Sequence, residues 1–115
     1  MQAFDRLLTI MDELREKCPW DRKQTFQSLR HLSIEEIYEL SDAILDEDMP
    51  EIRKELVDIL LHVVFYAKIA SENQNSNENF NIEDVLNTLC EKLISRHPHV
   101  YGDMTATMEE DVNKL

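Results

Sequence analysis

Apolar side chains recur at three- and four-residue steps over residues 3–17, at Phe4, Leu7, Leu8, Met11 and Leu14. That spacing marks one face of a helix. Cys18-Pro19-Trp20-Asp21 interrupts it, because a proline disfavours helical geometry in the residue before it. A short helical segment follows over residues 25–31, and a second long helix is expected to start at Ser33. Ser33 has Glu36 three residues on, the spacing of a capping box. This helix runs to residue 45 or 46 and ends in Asp46-Glu47-Asp48. Pro50 opens a third long helix reaching about residue 71, since proline is tolerated in a first helical turn. Residues 72–79, with five amides among eight positions, read as a mobile loop. Asn81 is placed to cap a fourth helix from residue 82 to about 96, closed by His97-Pro98. A last helix is expected near Thr107, which has Glu110 in capping-box position.

Composition narrows the class. At 115 residues, 43% hydrophobic and 31% charged, the chain is expected to be one globular domain. Gly102 is the single glycine, and sheets joined by tight turns need more, so an all-α helical bundle is expected. The net charge of -12 disfavours nucleic-acid binding, which rests on Lys and Arg neutralising phosphates, and likewise docking to anionic lipid. The longest uncharged stretch of the apolar region, residues 59–67, falls short of the roughly 20 residues of a membrane helix. Cys18 and Cys90 lack metal or redox spacing, and the first ten residues lack a signal-peptide core, so a cytoplasmic protein is expected.

The candidate chemistry lies on the second and third long helices. Between Leu56 and Ala70 the polar side chains besides Tyr66 are Asp58, His62 and Lys68, and apolar residues occupy every side of the wheel. Such a helix is expected to be buried all round, with help from a partner subunit. A carboxylate there must be protonated, paired or metal-bound. Glu55 precedes Asp58 by one turn on the same side, so a cation suits the pair. Glu35, Glu36 and Glu39 cluster on the second helix, where like charges at this spacing repel. Taken alone, that cluster fits a solvated face equally well, and Glu36 fits a mere capping role. Two antiparallel helices carrying these acids could converge them, and oxygen-only ligands suit Mg2+ or Mn2+.

The residues resemble the MazG family of nucleoside triphosphate pyrophosphohydrolases. Its Glu-Glu-x-x-Glu and Glu-x-x-Asp elements stand as Glu35-Glu36-Ile37-Tyr38-Glu39 and Glu55-Leu56-Val57-Asp58. Cys18-Pro19-Trp20-Asp21 with Gln24-Thr25-Phe26, the run Val63-Val64-Phe65-Tyr66-Ala67, and Lys92-Leu93-Ile94-Ser95-Arg96-His97-Pro98-His99-Val100-Tyr101 extend the similarity, with Tyr101 replacing the family's Phe. The resemblance implies an α-helical, Mg2+-dependent enzyme, with Mn2+ as a substitute, that cleaves NTPs or dNTPs to the monophosphate and pyrophosphate. It implies a homodimer or homotetramer. By motif position Glu36, Glu39, Glu55 and Asp58 would be metal ligands and Glu35 a catalytic, water-orienting carboxylate. The family's last helix usually continues through a Trp-containing segment, whereas this sequence stops at Leu115, so the expectation is either a naturally shorter protein or a truncated C-terminal helix.

Lys92 and Arg96, at i and i+4, would contact substrate phosphates, with Arg suited to bidentate bonds. Arg22 and Lys23 are weaker candidates for the same role. Trp20 would stack on the nucleobase or cover the core as a rim residue. His62 is assigned to a buried hydrogen bond, His97 and His99 to shaping a turn, and Tyr66 and Met11 to packing. Two other classes stand beside this reading. A carboxylate-bridged di-iron bundle would call for paired Glu-x-x-His motifs, whereas Asp58 and His62 are four apart. A non-catalytic interaction module would leave the acids on its surface.

Overall fold

The computed structural model describes residues 1–72 and 77–102, with helices, turns and no strand among them. The helices are α1 (Gln2–Lys17), α2 (Pro19–Arg22), α3 (Phe26–Leu45), α4 (Met49–Ser71), α5 (Ile82–Ser95) and α6 (Pro98–Tyr101). The all-α expectation holds. Two compact units divide the chain, Met1–Asn79 and Phe80–Leu115. The helix expected near Thr107 and the middle of the loop at 72–79 lie outside the described residues. No helix among the described residues is long and apolar enough to cross a membrane.

In the first unit, α1 buries Met11 and stops where Cys18 turns extended ahead of Pro19. The segment expected to be only a break forms the single turn α2, with Pro19 in its opening positions. Arg15 holds that corner. One guanidinium nitrogen donates to the carbonyls of Asp21 (2.6 Å) and Gln24 (2.9 Å), and a second bonds the Glu72 carboxylate at 2.9 Å. Carbonyls that a one-turn helix leaves open are thereby satisfied. Lys68 bonds Asp12 at 3.0 Å, so α1 lies against α4. Met11, Leu29, Ala43, Val64, Phe65, Ala67 and Ala70 form the core.

The expected break before Ser33 is absent, and α3 is continuous from Phe26. Its capping box sits eight residues earlier: Thr25 Oγ1 accepts the Ser28 N–H (3.1 Å), and Ser28 Oγ accepts that of Thr25 (2.8 Å). Those bonds satisfy the first orphan donors, so a second start at Ser33 has nothing to cap. Ser33 Oγ instead lies 3.2 Å from the Leu29 carbonyl, 2.9 Å from His62 Nδ1 and 2.6 Å from the Tyr66 hydroxyl. One arrangement satisfies all three: Ser33 donates to Leu29 and accepts from His62 Nδ1–H and Tyr66 O–H. This fixes one part of the α3–α4 register. The all-round burial expected of α4 is not met within one chain, because Leu56, Val57, Leu60, Leu61 and Val63 are exposed. Its apolar surface exceeds what α1 and α3 cover.

The α3–α4 connection fixes the rest of the register. Glu47 N–H donates to the Ile44 carbonyl (3.1 Å) and Asp48 N–H to that of Ala43 (3.0 Å), the paired bonds of a Schellman ending. Glu47 takes the left-handed conformation this requires, with φ 54°. Asp48 then caps α4 by accepting the Glu51 N–H at 3.2 Å. In the second unit, Asn81 and Asp84 exchange 2.9 Å bonds as a capping box for α5, as the sequence indicates. A left-handed non-glycine residue costs roughly 1–2 kcal/mol, partly offset by the greater freedom a glycine loses on folding. Glu47→Gly should therefore raise stability by about 0.5–1 kcal/mol in urea titrations, and a loss of stability would show the turn gains from that side chain.

Candidate functional site

Glu36 and Glu39 lie three residues apart on α3, and Glu55 faces them from the first half of α4. One carboxylate oxygen from each lies within 4.8 Å of the others. Glu39 is exposed, Glu36 is half-buried, and Glu55 is only 1% exposed. Oε2 of Glu36 and Oε2 of Glu55 are buried with no hydrogen-bond partner. Buried carboxylate oxygens without partners are costly, and at this spacing their charges repel.

Glu55 relieves the repulsion by keeping its proton. Its pKa is pushed up from 4.5 to about 8, first by the hydrogen bond shared with Glu36, then by burial, then by the neighbouring Glu51 and Glu39. A hard divalent cation would relieve it differently, taking the orphaned oxygens as ligands. The donor set is oxygen only, which fits Mg2+ or Mn2+ and not a soft metal. Glu36, Glu39 and Glu55 could hold such an ion.

The other sequence-derived residues are placed differently. Asp58 is half-buried one turn beyond Glu55 and outside the converging group. The deeply buried acid of α4 is Glu55. Glu35 is exposed on α3, and Trp20 is 61% exposed on α2. Lys92 lies on α5 and Arg96 is its C-terminal cap, both in the second unit. His62 donates its hydrogen bond to Ser33, and His97 Nδ1 meets the Leu93 carbonyl at 2.6 Å. Met11 is core, while Tyr66 combines ring packing with the bond to Ser33.

Sequence reading missed the acidic rim. Asp42, Asp46, Asp48 and Glu51 line a cleft of about 320 Å3 together with Glu39 and Glu55, and Lys54 is the one base among its lining residues. Asp42 and Asp46 follow Glu39 at i+3 and i+7, and Glu51 precedes Glu55 at i−4. That periodicity was visible, but it equally describes a solvated helix face.

Fold and site together define an all-α protein whose two long helices converge carboxylates on one point. The MazG nucleotide pyrophosphohydrolase domain matches residues 24–101. The chain is 53% identical over 102 residues to the "Nucleoside triphosphate pyrophosphohydrolase/pyrophosphatase MazG" of Thermotoga maritima, covering 87% of this chain and 38% of that protein. It is 44% identical over 115 residues to the "Nucleoside triphosphate pyrophosphohydrolase" of Escherichia coli, covering 97% and 42%. A mazG-related protein from Thermotoga maritima, known from a crystal structure, superposes with a TM-score of 0.74 at 25% identity, over 95% of this chain and 92% of that one. The chain belongs to the MazG family. It spans about two fifths of the length of these curated relatives.

The raised Glu55 pKa has a consequence for metal-free protein. Below about pH 4.5 Glu55 is protonated whether folded or unfolded; between 4.5 and about 8 only the folded chain holds the proton. The folded state binds more protons in that window, so stability falls as pH rises. Thermal melts in chelator should show this decline, and Glu55→Gln should flatten it and melt higher than wild type at pH 8. An equal slope in both proteins would remove Glu55 as its source.

Proposed function

We propose that the chain is a Mg2+-dependent pyrophosphohydrolase domain that cleaves a nucleoside or deoxynucleoside triphosphate to the monophosphate and pyrophosphate, with Mn2+ able to substitute. The observation that carries this is the meeting of Glu36, Glu39 and Glu55 with two buried oxygens left unpartnered. The names of the relatives in Thermotoga maritima and Escherichia coli support the same activity. Glu36, Glu39 and Glu55 would hold the ion, with Asp58 as a further ligand from the adjacent turn. When bound, the ion would neutralise phosphate oxygens and make a coordinated water more acidic.

The chain's own residues supply the rest. Hydrolysis at the α-phosphorus breaks its bond to the bridging oxygen, which leaves with pyrophosphate. The attacking water gives up a proton, and Glu35, exposed beside Glu36, is the carboxylate assigned to take it. Glu55 must release its own proton before it can act as a ligand, so metal binding and proton release are linked. Lys92 and Arg96 are assigned to the phosphates on their charge and i, i+4 spacing, and Trp20, exposed on α2, is an alternative stacking surface for the base. A chain of net charge -12 otherwise repels a polyanion, so these bases and the ion carry the attraction.

The exposed apolar face of α4, together with exposed Ile37, Tyr38, Ile44 and Leu45 on α3, supports a homodimer or homotetramer. The di-iron alternative calls for imidazole ligands, and no histidine joins the acid group among the described residues.

A panel of NTPs and dNTPs with Mg2+ tests the reading. Pyrophosphate should be released, and Glu39→Ala should cut turnover at least about 100-fold while circular dichroism stays at wild type, since Glu39 is exposed. Release of orthophosphate, or turnover retained in the well-folded variant, would defeat the proposal.

A further inference from the structure

We propose that the depression lined by Phe26, Gln27, Arg30 and Tyr66 is where the nucleobase of the triphosphate docks, an assignment that rests on the pyrophosphohydrolase reading above. It lies between the start of α3 and the second half of α4, entirely within the first unit, and has a volume of about 330 Å3. That is at the lower end of small-molecule sites, suited to one fragment of a ligand.

Its chemistry is that of a base-binding surface. The Phe26 and Tyr66 rings stack with centroids 5.8 Å apart and planes 10° from parallel, giving a flat apolar wall. Phe26 remains 42% exposed despite this contact, an aromatic surface left open to a further ring. The Tyr66 hydroxyl is committed to Ser33 at 2.6 Å, so its ring is held before any ligand arrives. The amide of Gln27 and the guanidinium of Arg30 supply donors and an acceptor of the kind that read base edges. An apolar depression near Met49, Leu56, Val57 and Leu60 has only Arg53 for such bonding and lies on the uncovered face of α4.

Placement ties the pocket to the acids. At about 100° and 1.5 Å per residue, Tyr66 stands only about 20° around α4 from Glu55 and about 16 Å along it. On α3, Phe26, Arg30, Ser33 and Glu36 fall within an arc of about 120°. The aromatic pair and the acids therefore lie on the same side of α4 and within one arc of α3, with Ser33 and His62 between them, and an extended nucleotide held at both would span that distance.

The test compares binding of nucleoside monophosphates with that of ribose 5-phosphate, which lacks only the base, by calorimetry on the full chain with Mg2+. Wild type should bind at least one monophosphate about tenfold or more tightly than ribose 5-phosphate. Arg30→Ala and Phe26→Leu should each shrink that gap severalfold and leave ribose 5-phosphate binding unchanged. Arg30 is exposed, so its variant tests the assignment even where Phe26→Leu impairs folding. No gap in wild type, or a gap untouched by Arg30→Ala, overturns the assignment. So does a gap lost in Trp20→Phe alone, which places the base on α2, or a variant that changes only sedimentation mass, which makes the pocket a subunit contact. Pyrophosphate release by wild type separates the two failures: release without a gap sinks only the pocket, and absence of release sinks the reading beneath it.

Discussion

Like charges brought together out of water are the constraint around which the first unit is organised. Ionised, Glu36, Glu39 and Glu55 would spread apart on a free chain, and only a proton held by Glu55 gives them a bond to share. The bonds at either end of the α3–α4 pair hold them. At one end the Schellman turn and the Asp48 cap fix where α4 begins; toward the other, Ser33 ties α3 to His62 and Tyr66. Between those two anchors the acids are held close, and the bond shared with Glu36, with burial and the repulsion of its neighbours, raises the Glu55 pKa so that it keeps its proton near neutral pH. Ligation through Glu55 would require loss of that proton, so the proposed cation binding is linked to pH.

The two ends of α4 meet different demands. Val64, Phe65, Ala67 and Ala70 in its second half build the core, and the small alanines allow close packing. In the first half, burial is reserved for Glu55, while Leu56, Val57 and Leu60 face outward. Most proteins do the reverse with such residues. An acid inside and aliphatic side chains outside on the same two turns is the arrangement that the proposed ion and the proposed subunit contact would each account for.

Helix identity was legible from the sequence because it depends on local periodicity. The bounds of α1, α4 and α5 follow from apolar spacing, Pro50 and Asn81. Ser33 was misread for an instructive reason. Ser-x-x-Glu describes a capping box and equally a mid-helix serine followed by a functional acid, and only its distant partners, His62 and Tyr66, separate the two. Thr25 with Ser28 performs the capping through a hydroxyl in place of the usual glutamate, so it carried a weaker signal. Arg15 was illegible for a related reason. Its acceptors are backbone carbonyls and Glu72, which sequence spacing does not connect to it.

At the site, the acids were readable and their ranking was not. Glu55 and Asp58 share a side of α4, and a helical wheel gives both similar claims to burial. The turn at residues 46–48 decides between them, because its length sets which α4 turn comes opposite Glu36 and Glu39. The same turn supplies Asp46 and Asp48 to the cleft rim, so one short segment sets both the register of the carboxylates and the charge around them. Shortening it by one residue would rotate α4 by about 100° relative to α3 and bring Leu56 to the place of Glu55, and lengthening it would bring Lys54 there. The carboxylate motif is therefore only half of the specification; the spacing and backbone conformation between its two parts are the other half.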